Sequence, residues 1–182
     1  MAWLASLKTY LAPLSAPKLP ESAVAGCYAA IVNQARQPAF YIAGQVLDTP
    51  QGRFELIMLH AFLVMRRLHD EPAFTQALFD LMFADFDLNL RELGVGDMGV
   101  GKRVKSWAQA FKGRAIAYDA GLADPAALAE AVSRNIFAGS GKDASMIAEY
   151  MQQAAKMLGA QFDDQIKAGQ IDWPPVAGTS ND

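Results

Sequence analysis

The sequence predicts an all-α fold, arranged as a single-domain bundle of about seven helices. Three observations predict this class. Apolar residues recur at three- and four-residue spacing in every long periodic segment, and no segment alternates with the period of two that marks a strand. Prolines, glycines and N-cap residues separate the segments at helix-length intervals. With 182 residues, the chain can bury one sizeable core.

Seven helices are expected in chain order, and their bounds follow from these start and stop signals. They cover residues 2–11, 20–36, 50–68, 72–93, 97–122, 125–137 and 143–167. Pro50 and Pro125 stand in first turns, where proline is favoured, and Gly94 and Gly96 end the fourth helix. Residues 38–47 are expected to form an irregular or short-helical connection.

The same signals divide the chain into three parts. Residues 1–19 are expected to form a short helix and a proline-rich linker, residues 20–168 the helical domain, and residues 169–182 a mobile tail. The helix over 50–68 is apolar on nearly all sides, which predicts a central, buried position.

Composition and charge argue against several classes of protein. A net charge of −3 argues against a nucleic-acid-binding surface. Cys27 is the single cysteine, so no intramolecular disulfide can form, which fits a reducing compartment. Residues 1–8 lack the pattern of a targeting presequence, and the apolar stretch 56–65 is too short to span a bilayer. We therefore expect a cytoplasmic protein, with peripheral contact at the cytoplasmic face of the inner membrane left open.

No catalytic, metal-binding or cofactor-binding residue is predicted. Gly96, Gly101 and Lys102 match the phosphate-binding pattern G-x-x-x-x-G-K, but Arg103 replaces the magnesium-binding Ser or Thr, and a helix precedes the motif instead of a strand. A tight turn between helices is the expected alternative. Two histidines and one cysteine provide no apparent metal site, and His60, among apolar residues, is expected to be a core histidine.

Polar residues around the junction of the fourth and fifth helices form a candidate partner-binding patch. The patch comprises Asp85, Asn89, Arg91, Glu92, Asp97, Lys102, Arg103 and Lys105. At 100° per residue, Asp85, Asn89 and Glu92 fall on the apolar side of their helix, where a carboxylate needs a partner. On the opposite side lie Gln76, Asp80, Asp87 and Arg91, and this strip is expected to be the solvated face of the helix. Asp87 and Arg91 are expected to form an i,i+4 ion pair there.

Two sets of cations are the expected partners of these acids. Arg53, His60 and Arg67 repeat every seven residues along the preceding helix, and residues 102–105 provide the second set. The patch is therefore either a salt-bridge network that joins three helices or a surface that receives a partner. A small-ligand or enzymatic site built from Asp85, Asn89, Glu92 and His60 is the alternative function.

Aromatic and methionine side chains offer a second route to partner binding. Phe74, Phe79, Phe83 and Phe86 come from several sides of one helix, and Met146, Met151 and Met157 come from another. They are expected either to fill the core or to form an adaptable surface for hydrophobic targets.

Three blocks of sequence carry a family resemblance. They are Gly52–Leu68, Leu78–Asp97, and a third block made of Val100–Lys105, Phe111–Arg114 and Ala117–Asp119. In this order they resemble the ubiquinol–cytochrome c chaperone family, over roughly residues 20–165. The chain is similar to a compact bacterial member, without the presequence and N-terminal extension of mitochondrial members.

The resemblance implies a non-enzymatic, all-helical chaperone for the biogenesis of respiratory complex III. Newly made cytochrome b is the implied client. Mitochondrial relatives also use a small partner subunit and associate with the ribosome, so these are implied partners. The sequence leaves a homodimer open.

Overall fold

The computed structural model describes residues 21–92, 94 and 97–176. Within these ranges it contains eight helices and no strand, which confirms the all-α class. The helices are α1 (Glu21–Ala35), α2 (Pro38–Ile42), α3 (Pro50–Arg67), α4 (Pro72–Glu92), α5 (Asp97–Gly121), α6 (Pro125–Ile136), α7 (Ser145–Ala160) and α8 (Asp163–Lys167). The helix expected over residues 2–11 lies outside the described residues.

The predicted start signals operate at α3 and α6. The Thr49 hydroxyl accepts a hydrogen bond from the Gly52 amide at 3.2 Å, and Pro50 follows it in the first turn. Asp124 caps α6 in the same way, through the amides of Ala126 and Ala127. Side-chain caps therefore determine where both helices begin.

The last predicted helix, 143–167, is wrong in one respect, because the structure divides it into α7 and α8. The break has a visible cause at the end of α7. Arg67 of α3 donates to the carbonyls of Leu158 and Gln161 at 2.9 and 2.7 Å. The Leu158 carbonyl also accepts from the Gln161 amide at 3.2 Å, so the guanidinium adds a second donor at the helix end and stabilises a stop there. The chain then turns and buries Ile166 of α8.

Helix α3 is the centre of the bundle, as its all-round apolarity predicts. Every residue from Phe54 to Met65 is buried. The helix packs against α1, α4, α5, α6 and α7. Two of its buried residues, Glu55 and His60, are polar, and each needs a partner inside the bundle.

The phenylalanines of α4 belong to the core. Phe74, Phe79, Phe83 and Phe86 are each at most 2% exposed. The last three join Phe54, Trp107 and Phe111 in a network of ring contacts between α3, α4 and α5. Met151 is also buried, whereas Met146 and Met157 are partly buried. These four phenylalanines are therefore core residues, which decides between the two alternatives for α4 in favour of core packing.

Residues 170–176 pack on the bundle, although the sequence analysis assigned them to a mobile tail. The Gln161 side chain accepts from the Asp172 amide at 3.2 Å and donates to the Asp172 carboxylate at 3.0 Å. Trp173 contacts His60 edge-to-face at 5.1 Å, and Val176 is 4% exposed. Burying these side chains contributes favourable free energy, which offsets the conformational entropy that residues 170–176 lose when they become ordered. Residues 177–182 lie outside the described residues.

Close backbone contact anchors this segment. Gly169 has a φ of +78°, and a Cβ there would lie 2.6 Å from the carbonyl oxygen of Gly26 in α1. Only glycine combines that φ with that approach. No helix within the described ranges is both long and apolar enough to cross a bilayer.

Candidate functional site

A cleft of about 520 Å³ opens between the end of α1, the short helix α2 and the start of α3. We call it the α2 cleft. It is lined by Arg36, Pro38, Tyr41, Ile42, Asp48 and Arg53. Its volume falls within the range of pockets that hold a ligand or a few side chains of a partner.

Hydrogen bonds hold the walls of the α2 cleft in place. The Tyr41 hydroxyl donates to the Ala35 carbonyl at 2.9 Å, which ties α2 to the end of α1. Behind α2, the Val46 amide donates to the Phe40 carbonyl at 3.1 Å. Lys142 donates from its ammonium group to the Gln45 carbonyl at 2.9 Å. The cleft is thus built before any partner arrives, which lowers the entropy cost of binding.

Gly52 fixes the third wall. A Cβ at this position would lie 2.0 Å from the Leu47 carbonyl oxygen, so no other residue fits without moving the loop. This contact presses residues 47–48 against the first turn of α3. It explains in physical terms why glycine precedes Arg53 in the first sequence block.

Apolar and charged groups alternate around the cleft. Ile42 is 79% exposed, and the neighbouring Leu47 is 65% exposed. Arg53 pairs with Asp48 at 2.6 Å. Arg36, by contrast, has no carboxylate within ion-pair distance among the described residues. The surface therefore presents two bare aliphatic side chains beside an uncompensated positive charge.

Asp85 and Asn89 of the predicted patch lie against α1. The Tyr28 hydroxyl donates to the Asp85 carboxylate at 2.7 Å. Asn89 donates from its amide nitrogen to the Asp85 backbone carbonyl, also at 2.7 Å. Asp85 thus has a partner that was not predicted from the sequence, Tyr28 of α1.

Other members of the patch are more exposed. Arg91 and Asp87 form the expected i,i+4 pair at 2.7 Å, which confirms that prediction. Glu92 and the cations Lys102, Arg103 and Lys105 are exposed, and none of these four forms an ion pair with another described residue. Asp97 begins α5, and its side chain lies outside the described part of the structure.

The opposite strip of α4 is less solvated than predicted. Gln76 is 6% exposed and donates to Asp80 at 2.8 Å. Burial raises the pKa of Asp80, and the hydrogen bond from Gln76 opposes that rise. The expectation of a fully solvated strip is therefore wrong at Gln76.

Two of the cations that were expected to pair with Asp85 and Glu92 have other partners. Arg53 pairs with Asp48, and Arg67 pairs with Asp163 at 2.7 Å. Helix α4 packs chiefly against α1 and α5, and less against α3. The predicted salt-bridge network that joins α3 to the apolar side of α4 is therefore wrong.

A buried ion pair links α3 to α5. Glu55 is 3% exposed and accepts two hydrogen bonds from the Arg114 guanidinium, at 2.6 and 2.8 Å, and one from Gln51 at 2.7 Å. Burial raises the pKa of Glu55, while Arg114 and Gln51 oppose the rise. A carboxylate within the apolar run of α3 was the sequence signal that such a partner had to exist.

His60 is the acceptor in a buried hydrogen-bond chain. Its Nδ1 lies 2.7 Å from the Leu56 carbonyl, which can only accept, so Nδ1 carries the proton. Its Nε2 then accepts from the Tyr150 hydroxyl at 2.9 Å, and Tyr150 in turn accepts from Gln34 at 3.1 Å. Burial lowers the pKa of His60 to about 4. The neutral ring is fully engaged, as expected for a core histidine.

The structure provides no support for a cofactor site among the described residues. No group of three or more His, Cys, Asp or Glu side chains is placed to hold a metal ion there. Gly99 and Gly101 lie inside α5, so the amides of that segment form helix and not a phosphate-binding loop. Gly94, with a φ of +80°, makes the turn after α4. Burial raises the pKa of the Cys27 thiol to about 12, as expected for a core cysteine.

Comparison with known proteins identifies the family. The sequence model described as "Ubiquinol-cytochrome C chaperone" matches residues 43–173. The chain belongs to the ubiquinol–cytochrome c chaperone family. A crystal structure of the Cbp3 homolog from Brucella abortus is similar in fold, with a TM-score of 0.77 and 40% sequence identity over 86% of this chain and 91% of that chain. No curated protein matches the chain.

Family membership supports an assembly-chaperone role connected with ubiquinol–cytochrome c reductase. It also favours a role without catalysis. Within this chaperone, residues of the first and third sequence blocks pair with each other: Glu55 with Arg114, and Arg66 with Asp119 at 2.6 Å. These two ion pairs connect α3 with α5.

Sequence reasoning missed the α2 cleft. The sequence predicted residues 38–47 only as a short connection between helices. Whether Ile42 and Leu47 are exposed depends on how α1, α2 and α3 pack together, which the sequence does not show. The available signal was a run of apolar residues between Pro38 and Asp48, Ile42 and Leu47 among them, in a segment too short to bury all of them by itself.

Proposed function

We propose that this chain is a non-enzymatic assembly chaperone that binds newly made cytochrome b during biogenesis of complex III. The family match over residues 43–173 carries the proposal, and the similarity to the Cbp3 homolog supports it. A client with many apolar helices needs a binding partner until it is fully inserted into the membrane and loaded with haem. We place this activity at the cytoplasmic face of the inner membrane, with a small partner subunit, the ribosome and a second copy of the chain as further candidate partners.

The α2 cleft is the surface that best fits client binding. Ile42, which is 79% exposed, lines this concave surface, and Leu47, which is 65% exposed, precedes the lining residue Asp48. These aliphatic side chains provide the apolar contact that a protein interface needs at its centre. The charged residues Arg36, Asp48 and Arg53 form its polar rim. No step in such binding requires a nucleotide.

The alternative, a small-ligand or enzymatic site using Asp85, Asn89, Glu92 and His60, gains no support from the geometry. His60 is saturated by Leu56 and Tyr150, while Asp85 is engaged by Tyr28. His60 and Asp85 thus have separate partners on different helices, Tyr150 of α7 and Tyr28 of α1.

Deletion of the gene in its host tests the proposal directly. We expect lower cytochrome b haem absorbance and lower complex III activity in membranes, with both restored by the wild-type gene. Activity of another respiratory complex in the same membranes is the control. Normal cytochrome b with intact complex III after deletion would overturn the proposed client.

Ile42→Ser tests the role of the α2 cleft. Burying an isoleucine side chain in an interface contributes about 1.5–3 kcal/mol, so we expect affinity for cytochrome b to fall by about tenfold or more. Because Ile42 is 79% exposed, the melting temperature should not change. The amount of cytochrome b that co-purifies with the tagged chaperone measures the effect.

Ile116→Ser is the matched control, since Ile116 is an exposed isoleucine on α5, 48% exposed and outside the lining of the α2 cleft. It should retain cytochrome b at the wild-type level. Equal retention by both variants would exclude the cleft as the client surface.

A further inference from the structure

We infer that the α2 cleft binds a segment of the partner protein that carries a carboxylate between apolar side chains, and that Arg36 is the residue that pairs with this carboxylate. The inference rests on the proposed function, because it takes the cleft to be a protein-binding surface. It adds the chemical class of the segment and a residue for its recognition.

The charge balance of the cleft requires a negative group from outside. Its lining contains two arginines and one acid. The acid, Asp48, lies 2.6 Å from Arg53 and compensates it. Arg36 is left without a carboxylate within ion-pair distance among the described residues. A partner that covers the cleft without supplying an anion would bury a bare guanidinium, which is costly.

Arg36 is placed at the cleft wall by the backbone. It follows the last residue of α1, and its amide donates to the Val32 carbonyl at 3.1 Å, which continues the helical pattern by one residue. Arg36 is one of the residues that line the cleft, and its positive charge opposes the rise in the pKa of Tyr41, another lining residue, and of Tyr28 on α1.

The apolar neighbours define the rest of the ligand. Ile42 and Pro38 are exposed and belong to the same lining as Arg36. A carboxylate flanked by aliphatic side chains would satisfy the guanidinium, in up to two hydrogen bonds, while covering both residues.

The test begins with charge variants of Arg36 in the full-length protein. Arg36→Glu should reduce co-purification of cytochrome b by at least about tenfold, because it places like charges together. Arg36→Lys should lose less, since it keeps the charge but not the two-pronged geometry. Lys156→Glu is the matched control, because Lys156 is an exposed cation on α7, outside the α2 cleft and outside the polar patch, and is unpaired among the described residues. Retention by Arg36→Glu at the level of Lys156→Glu would overturn the inference.

A photo-reactive amino acid at Ile42 then locates the bound segment. We expect the cross-linked peptide to contain an Asp or Glu between apolar residues, and substitution of that acid by Arg to restore binding to Arg36→Glu. A cytochrome b segment without an acid, or a failure of the charge exchange, would overturn the inference while leaving the proposed client intact. An acid-bearing segment from another protein, with charge exchange restored, would support the inference and overturn cytochrome b as the client.

Discussion

Replacing Arg114 with alanine is expected to lower the free energy of unfolding by about 3–5 kcal/mol. The variant leaves Glu55, 3% exposed, without the two hydrogen bonds that compensate its burial. Gln51 alone remains as a partner for the carboxylate. Urea denaturation, read by circular dichroism, measures the loss, with an unchanged slope showing that the same transition is compared.

Two further variants distinguish the stability cost of an unpaired buried charge from the cost of losing an exposed ion pair. Arg134→Ala removes an exposed i,i+4 partner of Glu130 and should change the free energy by no more than about 0.5 kcal/mol. The double variant Glu55→Leu, Arg114→Met removes both buried charges and should recover most of the stability. A double variant as unstable as Arg114→Ala would show that packing, and not the bare carboxylate, accounts for the loss.

The second large effect is a loss of stability in mild acid, caused by His60. Burial lowers its pKa from 6.5 to about 4 in the folded protein, so the unfolded chain binds a proton first as the pH falls. The contribution of the neutral ring is complete above pH 6.5 and disappears as the pH falls through about 4. A shift of this size corresponds to about 3 kcal/mol in total. Protonation would also turn Nε2 into a donor and displace the hydroxyl proton of Tyr150.

Denaturation at a series of pH values checks this expectation. His60→Gln should flatten the decline in unfolding free energy below pH 6.5, even though the variant is less stable throughout. His69→Gln is the matched control, because it removes the other histidine, which is exposed, and it should keep the full decline. An equally steep decline in both variants would assign the acid sensitivity to carboxylates.

The fold could be predicted from the sequence wherever short-range signals in the chain determine it. All-round apolarity placed α3 at the centre, and the caps at Thr49 and Asp124 gave two helix starts correctly. The break after α7 was not accessible, because Arg67, distant in sequence, supplies the groups that end that helix. Likewise, Trp173 packs on His60 through a contact between segments more than one hundred residues apart.

At the site, the sequence could not predict which charged side chains pair with each other. A spacing of seven places Arg53, His60 and Arg67 along one helix stripe but does not say which helix each will meet. In the structure each meets a different element: the loop before α3, α7, and the segment around α8. The family blocks indicated the function class correctly, because that information depends on residue identity and not on three-dimensional neighbours.

The packing of residues 163–176 against α1 also constrains when the protein can fold. The α1 face around Gly26 and the ring of His60 are covered by segments that the ribosome makes after nearly all the rest of the bundle. During synthesis, an incomplete chain therefore lacks the ring of Trp173 on His60 and the buried side chain of Val176. Completion of the core must wait for these residues, so we expect a shortened product to be more accessible to proteolysis.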